Sequence, residues 1–109
     1  MANIYRNAKV DFTNTDNTTV YTSPSNSRAI VKSILVSDDS GSGDSITVTL
    51  TDASAAVFSL FKTKTIGSNA TTELITQPII LQESEILKAQ ATTAGRLHMV
   101  VSLLEINRD

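Results

Sequence analysis

The stretch Arg28–Thr51, RAIVKSILVSDDSGSGDSITVTLT, reads as two β-strands joined by a polar loop. In its last part, SITVTLT (Ser45–Thr51), Ile46, Val48 and Leu50 alternate with Thr47, Thr49 and Thr51. Successive side chains of a strand leave opposite faces, so this segment has one apolar face and one wet face. The first part, RAIVKSILVSD (Arg28–Asp38), is apolar on both sides. Strict alternation puts Ile30, Ile34 and Val36 on one face, interrupted by Lys32, and Val31 and Leu35 on the other. Between them SDDSGSGDS (Ser37–Ser45) carries Asp38, Asp39, Asp44, Gly41 and Gly43. A calcium loop of the EF-hand type needs oxygen ligands at fixed offsets and a closing Glu. Counted from Asp39, the third and fifth positions are Gly41 and Gly43, and the twelfth is the apolar Leu50. A phosphate cradle needs a loop that opens a helix, whereas this one opens a strand and is acidic. The loop reads as a solvated turn whose glycines permit positive φ. An adventitious or interface-bound cation at Asp38–Asp44 is the alternative.

Outward from this pair the chain continues in short β-like runs set apart by turn residues. Ile4–Phe12 and Thr18–Thr22 precede it. Ala56–Ile66, Thr71–Thr76, Pro78–Leu81, Glu85–Thr92 and Arg96–Ile106 follow. Only ESEILKAQATTAG (Glu83–Gly95) competes as a helix, and Thr92, Thr93 and Gly95 would end it early. The last run, RLHMVVSLLEI, is apolar on both faces, which places it at the centre of the fold or under a partner. Eight or nine short strands at this spacing predict an all-β fold, an antiparallel β-sandwich of jelly-roll type, as one domain over residues 1–109.

Composition narrows the function. Nine Lys and Arg against eleven Asp and Glu, a net charge of −2, give no basic excess for nucleic acid. No run approaches the roughly 20 apolar residues of a membrane helix, and MANIYRNAKV lacks the apolar stretch of a signal peptide. The expectation is a soluble protein made in a cytoplasm, with no nucleic-acid or membrane partner. The chain has no cysteine and one histidine, so neither disulfides nor thiolate metal sites are available.

Candidate chemistry is sparse. His98 lies in an apolar strand with no partners for a zinc site or a nucleophilic triad, and reads as a structural or interface residue. Glu83 and Glu85 would point the same way on a strand and read as a solvated acidic edge rather than a hydrolytic pair. Asn17–Thr19 and Asn69–Thr71 match the glycosylation sequon, and both read as turns. Phe58 and Phe61 are assigned to the core. Tyr5, Phe12 and Tyr21 are left for a binding surface, few for a carbohydrate reader. No enzyme activity, cofactor or metal is expected.

The order of motifs carries a resemblance. VYTSPSNSRAIVKSILVSDDSGSGDSITVTLTD (Val20–Asp52) resembles a segment of small β-rich virion structural proteins of tailed bacteriophages. TTELITQPIILQESEILKAQATTAGRLHMVVSLLEI (Thr71–Ile106) is similar to the ending of the same family, and ANIYRNAKVDF to small structural proteins of marine and cyanobacterial phages. The resemblance implies a capsid decoration (cement) protein, located on the virion, that binds the major capsid protein or other virion proteins. It also implies a homo-oligomer, such as a trimer. A neck, tail or fibre component is the alternative, and a carbohydrate- or cation-dependent binding module a remoter one. Interface candidates are Ile4, Tyr5, Val10 and Phe12, on an N-terminal arm that would pair with a neighbour, and Leu97, Met99, Val101 and Leu103 on the final strand. Ordinary strands within one chain are the competing reading of both segments.

Overall fold

The computed structural model describes residues 2–108. Among them are nine strands and no helix: β1 (Ala2–Asp11), β2 (Thr18–Thr22), β3 (Ser27–Asp38), β4 (Asp44–Thr51), β5 (Val57–Ile66), β6 (Thr71–Glu73), β7 (Ile79–Leu81), β8 (Ile86–Ala91) and β9 (Leu97–Asn107). The segment that competed as a helix is strand β8 with its flanking turns. Its Leu87, Ala89 and Ala91 are buried while Gln90 is exposed, the period of a strand.

Two antiparallel sheets face each other. One has the order β1-β9-β3-β6, with β7 also paired to β3; the other has β2-β8-β4-β5. β6 pairs with Leu35–Ser37 and β7 with Ala29–Val31, so the two lie end to end along one side of β3 and fill a single position. With that position counted once, this is the strand order of an eight-stranded jelly roll. The core lies between the sheets. Leu97, Met99, Val101 and Leu103 of β9 enter it from one side, and Ile46 and Val48 of β4 from the other. The alternation read in SITVTLT therefore holds.

The alternation read in β3 does not. Its register with β9 passes from Val31↔Leu103 to Ser33↔Ser102, so Lys32 is an extra residue in a β-bulge. Ala29 and Val31 face the core before the bulge; Ile34, Val36 and Asp38 face it afterwards. Ile30 thus lies on the opposite face from Ile34, and Leu35 points outward. Glu73 of β6 repairs the break: its carboxylate accepts the Ile34 N–H at 2.7 Å and the Ser33 hydroxyl. Strand β5 is also irregular. Two register breaks against β4 leave extra residues around Leu60 and Thr63, and Thr63 has φ 48°.

These placements correct the interface candidates. Phe12, Leu97, Met99, Val101 and Leu103 are all buried inside the chain's own core. Their apolar character is consumed by the facing sheet, not by a neighbour. The N-terminal segment is not a free arm: β1 pairs with β9 along its whole length, from Ala2↔Asn107 to Asp11↔His98. Ile4 and Val10 are half-buried beneath it, and only Tyr5 stands clear.

Candidate functional site

Outward residues of the β1-β9-β3 sheet form an apolar row. Tyr5 pairs with Leu104, Leu104 with Ile30, and Ile30 with Ile80, so four strands present these side chains side by side on one face. Tyr5 is 76% exposed and Ile80 54%. A second row runs Lys9, Val100, Leu35, Glu73 in the same register. The Lys32 ammonium, on the bulge, lies 5.6 Å from the centre of the Tyr5 ring. Lys32, Lys9 and Arg28 place three cations around the Tyr5 end of this face, and Glu73 and Asp11 place carboxylates on its other side.

The outer face of the other sheet is mainly polar, with Val57 and Ile86 its apolar residues at one end. Thr47 pairs with Gln90, and Thr49 with Lys88, which in turn pairs with Thr19. An isolated exposed leucine is normal for a soluble protein, but a contiguous apolar patch on one face of a sandwich indicates contact. The outer half of β9 explains why its sequence is apolar on both sides: it is the central strand, and it also runs through this patch.

The acidic loop has a different use. Asp38 is buried, and its carboxylate accepts four hydrogen bonds. Oδ1 takes the Ser40 N–H at 3.0 Å and the Ser40 hydroxyl at 2.5 Å. Oδ2 takes the N–H of Gly43 at 2.8 Å and of Asn69 at 3.1 Å. These donors hold it well below the usual carboxylate range, the Ser40 hydroxyl foremost; burial opposes them, and the hydroxyl and N–H groups together outweigh it. Asp38 is therefore the loop's anchor, not one of its solvated charges. Its lone pairs are engaged by the chain's own donors. Gly43 has φ 70°, and a Cβ there would stand 3.1 Å from the Ile66 carbonyl oxygen, so the turn needs glycine.

A second polar anchor joins the two sheets. The Tyr21 hydroxyl of β2 donates to Glu105 Oε1 of β9 at 2.5 Å, and Arg6 Nε of β1 lies 3.3 Å from the same oxygen. Burial alone would raise the Glu105 carboxyl. Tyr21, Arg6 and Asn107 together hold it below its ordinary range. Burial, followed by Glu105, pushes the Tyr21 hydroxyl well above its own range.

The remaining candidates are dispersed. His98 Nε2 lies 3.1 Å from Asp11 and Nδ1 3.7 Å from Asp39, an exposed link between β1, β9 and the acidic loop. Glu83 and Glu85 do not act as a pair. Glu83 meets Arg108 at 2.8 Å, and Glu85 accepts the Gln82 N–H at 2.8 Å, because both sit in the turn before β8 rather than on a strand. The aromatic assignment reverses at two positions, with Phe12 buried and Phe58 54% exposed, and holds for Phe61, packed against the core, and Tyr5, which is exposed.

Fold and surface together define a jelly-roll domain with one apolar sheet face. Neither a protein family nor a curated protein matches the chain. Solved structures share its fold. A chain in the acidic stable capsid structure of Helicobacter pylori bacteriophage KHP30 is similar at 12% identity, TM-score 0.58, over 99% of this chain and 95% of that one. A chain of the disulfide-linked pili that form Bacillus endospore appendages is similar at 10% identity, TM-score 0.57, over 98% of this chain and 89% of that one.

Proposed function

We propose that the protein is a virion structural protein of a bacteriophage, specifically a decoration protein that seats its apolar sheet face on the capsid shell. The sidedness of the sandwich carries this reading: Tyr5, Leu104, Ile30 and Ile80 on one outer face, threonine, lysine and glutamine on the other. A shell-bound domain needs such a difference, because one face meets protein and the other meets solvent. The bacteriophage capsid chain of the same fold supports the assignment, as does the order of motifs in the sequence. The pilus chain supports it less, since the linkage in those fibres is a disulfide and this chain has no cysteine. Each contact can be weak, because many copies act on one shell.

The test is particle binding by Tyr5→Asp/Ile80→Asp. The double variant should fold normally, because both residues are exposed, and should fail to bind shells that lack the protein. Shells without the protein should rupture at lower temperature than decorated ones. Unchanged binding by the double variant, or equal robustness of bare shells, would count against decoration. Co-purification with tails in place of shells would favour a neck, tail or fibre role.

A further inference from the structure

The two long sides of the sandwich end differently. On the β1–β2 side, Tyr21, Glu105 and Arg6 close the core. On the β5 side the core is left open. Phe58 pairs with Leu50, which packs against the core, so the pleat sends both side chains to the inner face. Yet Phe58 is 54% exposed, because β5 is the last strand of its sheet and, among the described residues, no strand pairs beyond it.

The backbone there is open as well. The second half of β5 carries the usual protection of a sheet edge: register breaks, a left-handed Thr63, and Lys62 and Lys64. Val57, Phe58 and Ser59 have none of it. The hairpin before them is well fixed. Asp52 N–H donates to the Ala56 carbonyl at 2.9 Å, and Asp52 Oδ1 accepts the N–H groups of Ser54 and Ala56, each at 2.9 Å. Backbone groups of an antiparallel ladder alternate between its two sides. With Asp52 and Ala56 bonded to each other, Phe58 turns its groups toward β4, and Val57 and Ser59 turn theirs to the open edge.

We propose that β5 pairs antiparallel with β5 of a second copy of this chain, about a two-fold axis at Phe58. In that register Val57 faces Ser59 of the second copy, and the outward N–H and C=O groups of both are satisfied. The two Phe58 rings meet at the non-hydrogen-bonded position, where side chains are closest. Lys64 is carried toward Asp52 of the second copy, and Lys62 away from its own equivalent. A parallel pairing would instead set the lysines side by side. A two-fold contact needs only one self-complementary patch, and here the same residue supplies both aromatic rings. The two four-stranded sheets then become one continuous sheet. This pairing draws on the β5 edge alone, so it stands or falls separately from shell docking through the other sheet.

The absence of cysteine makes a single-thiol test clean. At the proposed axis the Cα atoms of the Phe58 pair are roughly 4.5 Å apart, inside the range of about 4.4–6.8 Å for a disulfide. Mild oxidation of Phe58→Cys should give a covalent dimer, whereas Tyr5→Cys, on the apolar sheet face, should stay monomeric. Sedimentation of the unsubstituted chain should show a reversible monomer–dimer equilibrium. Phe58→Ser should shift it to monomer while the chain stays folded by circular dichroism. Ser59→Pro, which removes only an outward N–H, should do the same. A chain that stays monomeric at every concentration, a trimer, preferential crosslinking at Tyr5→Cys, or a dimer that survives Phe58→Ser would overturn the proposal. If Ser59→Pro unfolds, Phe58→Ser decides.

Discussion

Asp38 and Glu105 are carboxylates in positions that the strand period sends inward, and each is retained by a different solution to the same problem. A buried carboxylate without partners is strongly destabilising. Asp38 recruits backbone N–H groups from its own loop and from Asn69, whereas Glu105 recruits side chains from two other strands. Their inward phase follows the strand period, since Asp38 continues the series Ile34, Val36 and Glu105 continues Leu97, Met99, Val101, Leu103, but the acidic neighbours of Asp38 make its loop read as a solvated turn. The partners are not legible, because Tyr21 and Glu105 are 84 residues apart in the chain. Two expectations follow from these geometries. Asp38→Asn replaces an acceptor with a donor that faces other donors, so the loop loosens and the melting temperature falls at neutral pH. Because the folded-state pKa of Asp38 is depressed, its contribution is present above the unfolded value of about 3.9 and is lost as pH falls below it. The difference between the two proteins in thermal melts should therefore shrink steadily from pH 4 downward. A constant gap down to strongly acidic pH would contradict the assignment. Tyr21→Phe removes a hydrogen bond to a charged group and should cost about 1.5–3 kcal/mol in urea unfolding at neutral pH. A loss below about 0.5 kcal/mol would mean that Arg6 and Asn107 satisfy Glu105 without Tyr21.

Strand existence follows from sequence wherever one face is apolar and the ladder is regular, as in β4. Strands β3 and β5 are read as strands as well, but the assignment of their faces fails, because an extra residue reverses the alternation midway. Nothing about Lys32 marks it as a bulge. The break becomes visible only when β9 sets the register and Glu73 supplies an acceptor for the freed Ile34 N–H. The misassignment of Phe58 has a related origin. Its phase is inward, as the pattern implies, but its strand is at the edge of the sheet, and strand order is not encoded in local alternation. The bulge at Lys32 sets defined expectations for two experiments. Lys32→Ala keeps the residue count and loses only the contact with Tyr5, so it should cost about 0.5–1 kcal/mol. Deleting Lys32 removes the extra residue and restores plain alternation, with Val31, Ile34 and Val36 still facing the core. It should therefore be about as mild as the substitution. Circular dichroism and urea melts of the two proteins compare them, and a deletion that costs as much as a large-to-small core substitution, about 2–5 kcal/mol, would disprove the bulge.

At the scale of the whole molecule, the sandwich divides its work between faces and edges. The inner faces supply stability, and one long side is sealed by the Tyr21–Glu105–Arg6 cluster. The outer face of the β1-β9-β3 sheet carries the exposed apolar row through which the proposed shell contact is made. Its make-up also constrains how that contact forms. Apolar residues at the centre, Tyr5, Leu104, Ile30 and Ile80, control how long a complex lasts, since their desolvation is reversed only on dissociation. Lys9, Arg28 and Lys32 around them act at longer range. If the proposed shell contact uses this face, the three cations at its Tyr5 end would orient the approach to an acidic surface. Shell binding by this face should therefore show a division in its kinetics. Raising salt from about 50 to 500 mM shortens the screening length from roughly 14 to 4 Å, so the association rate should fall several-fold while dissociation changes little. Lys9→Gln/Arg28→Gln/Lys32→Gln should associate slowly at all salt concentrations and lose the salt dependence. Ile80→Ala should leave association intact and speed dissociation. Surface-plasmon measurements on immobilised shells resolve both rates. Salt-independent association of the unsubstituted protein, or faster dissociation in the triple variant alone, would assign the contact to a different face of the sandwich.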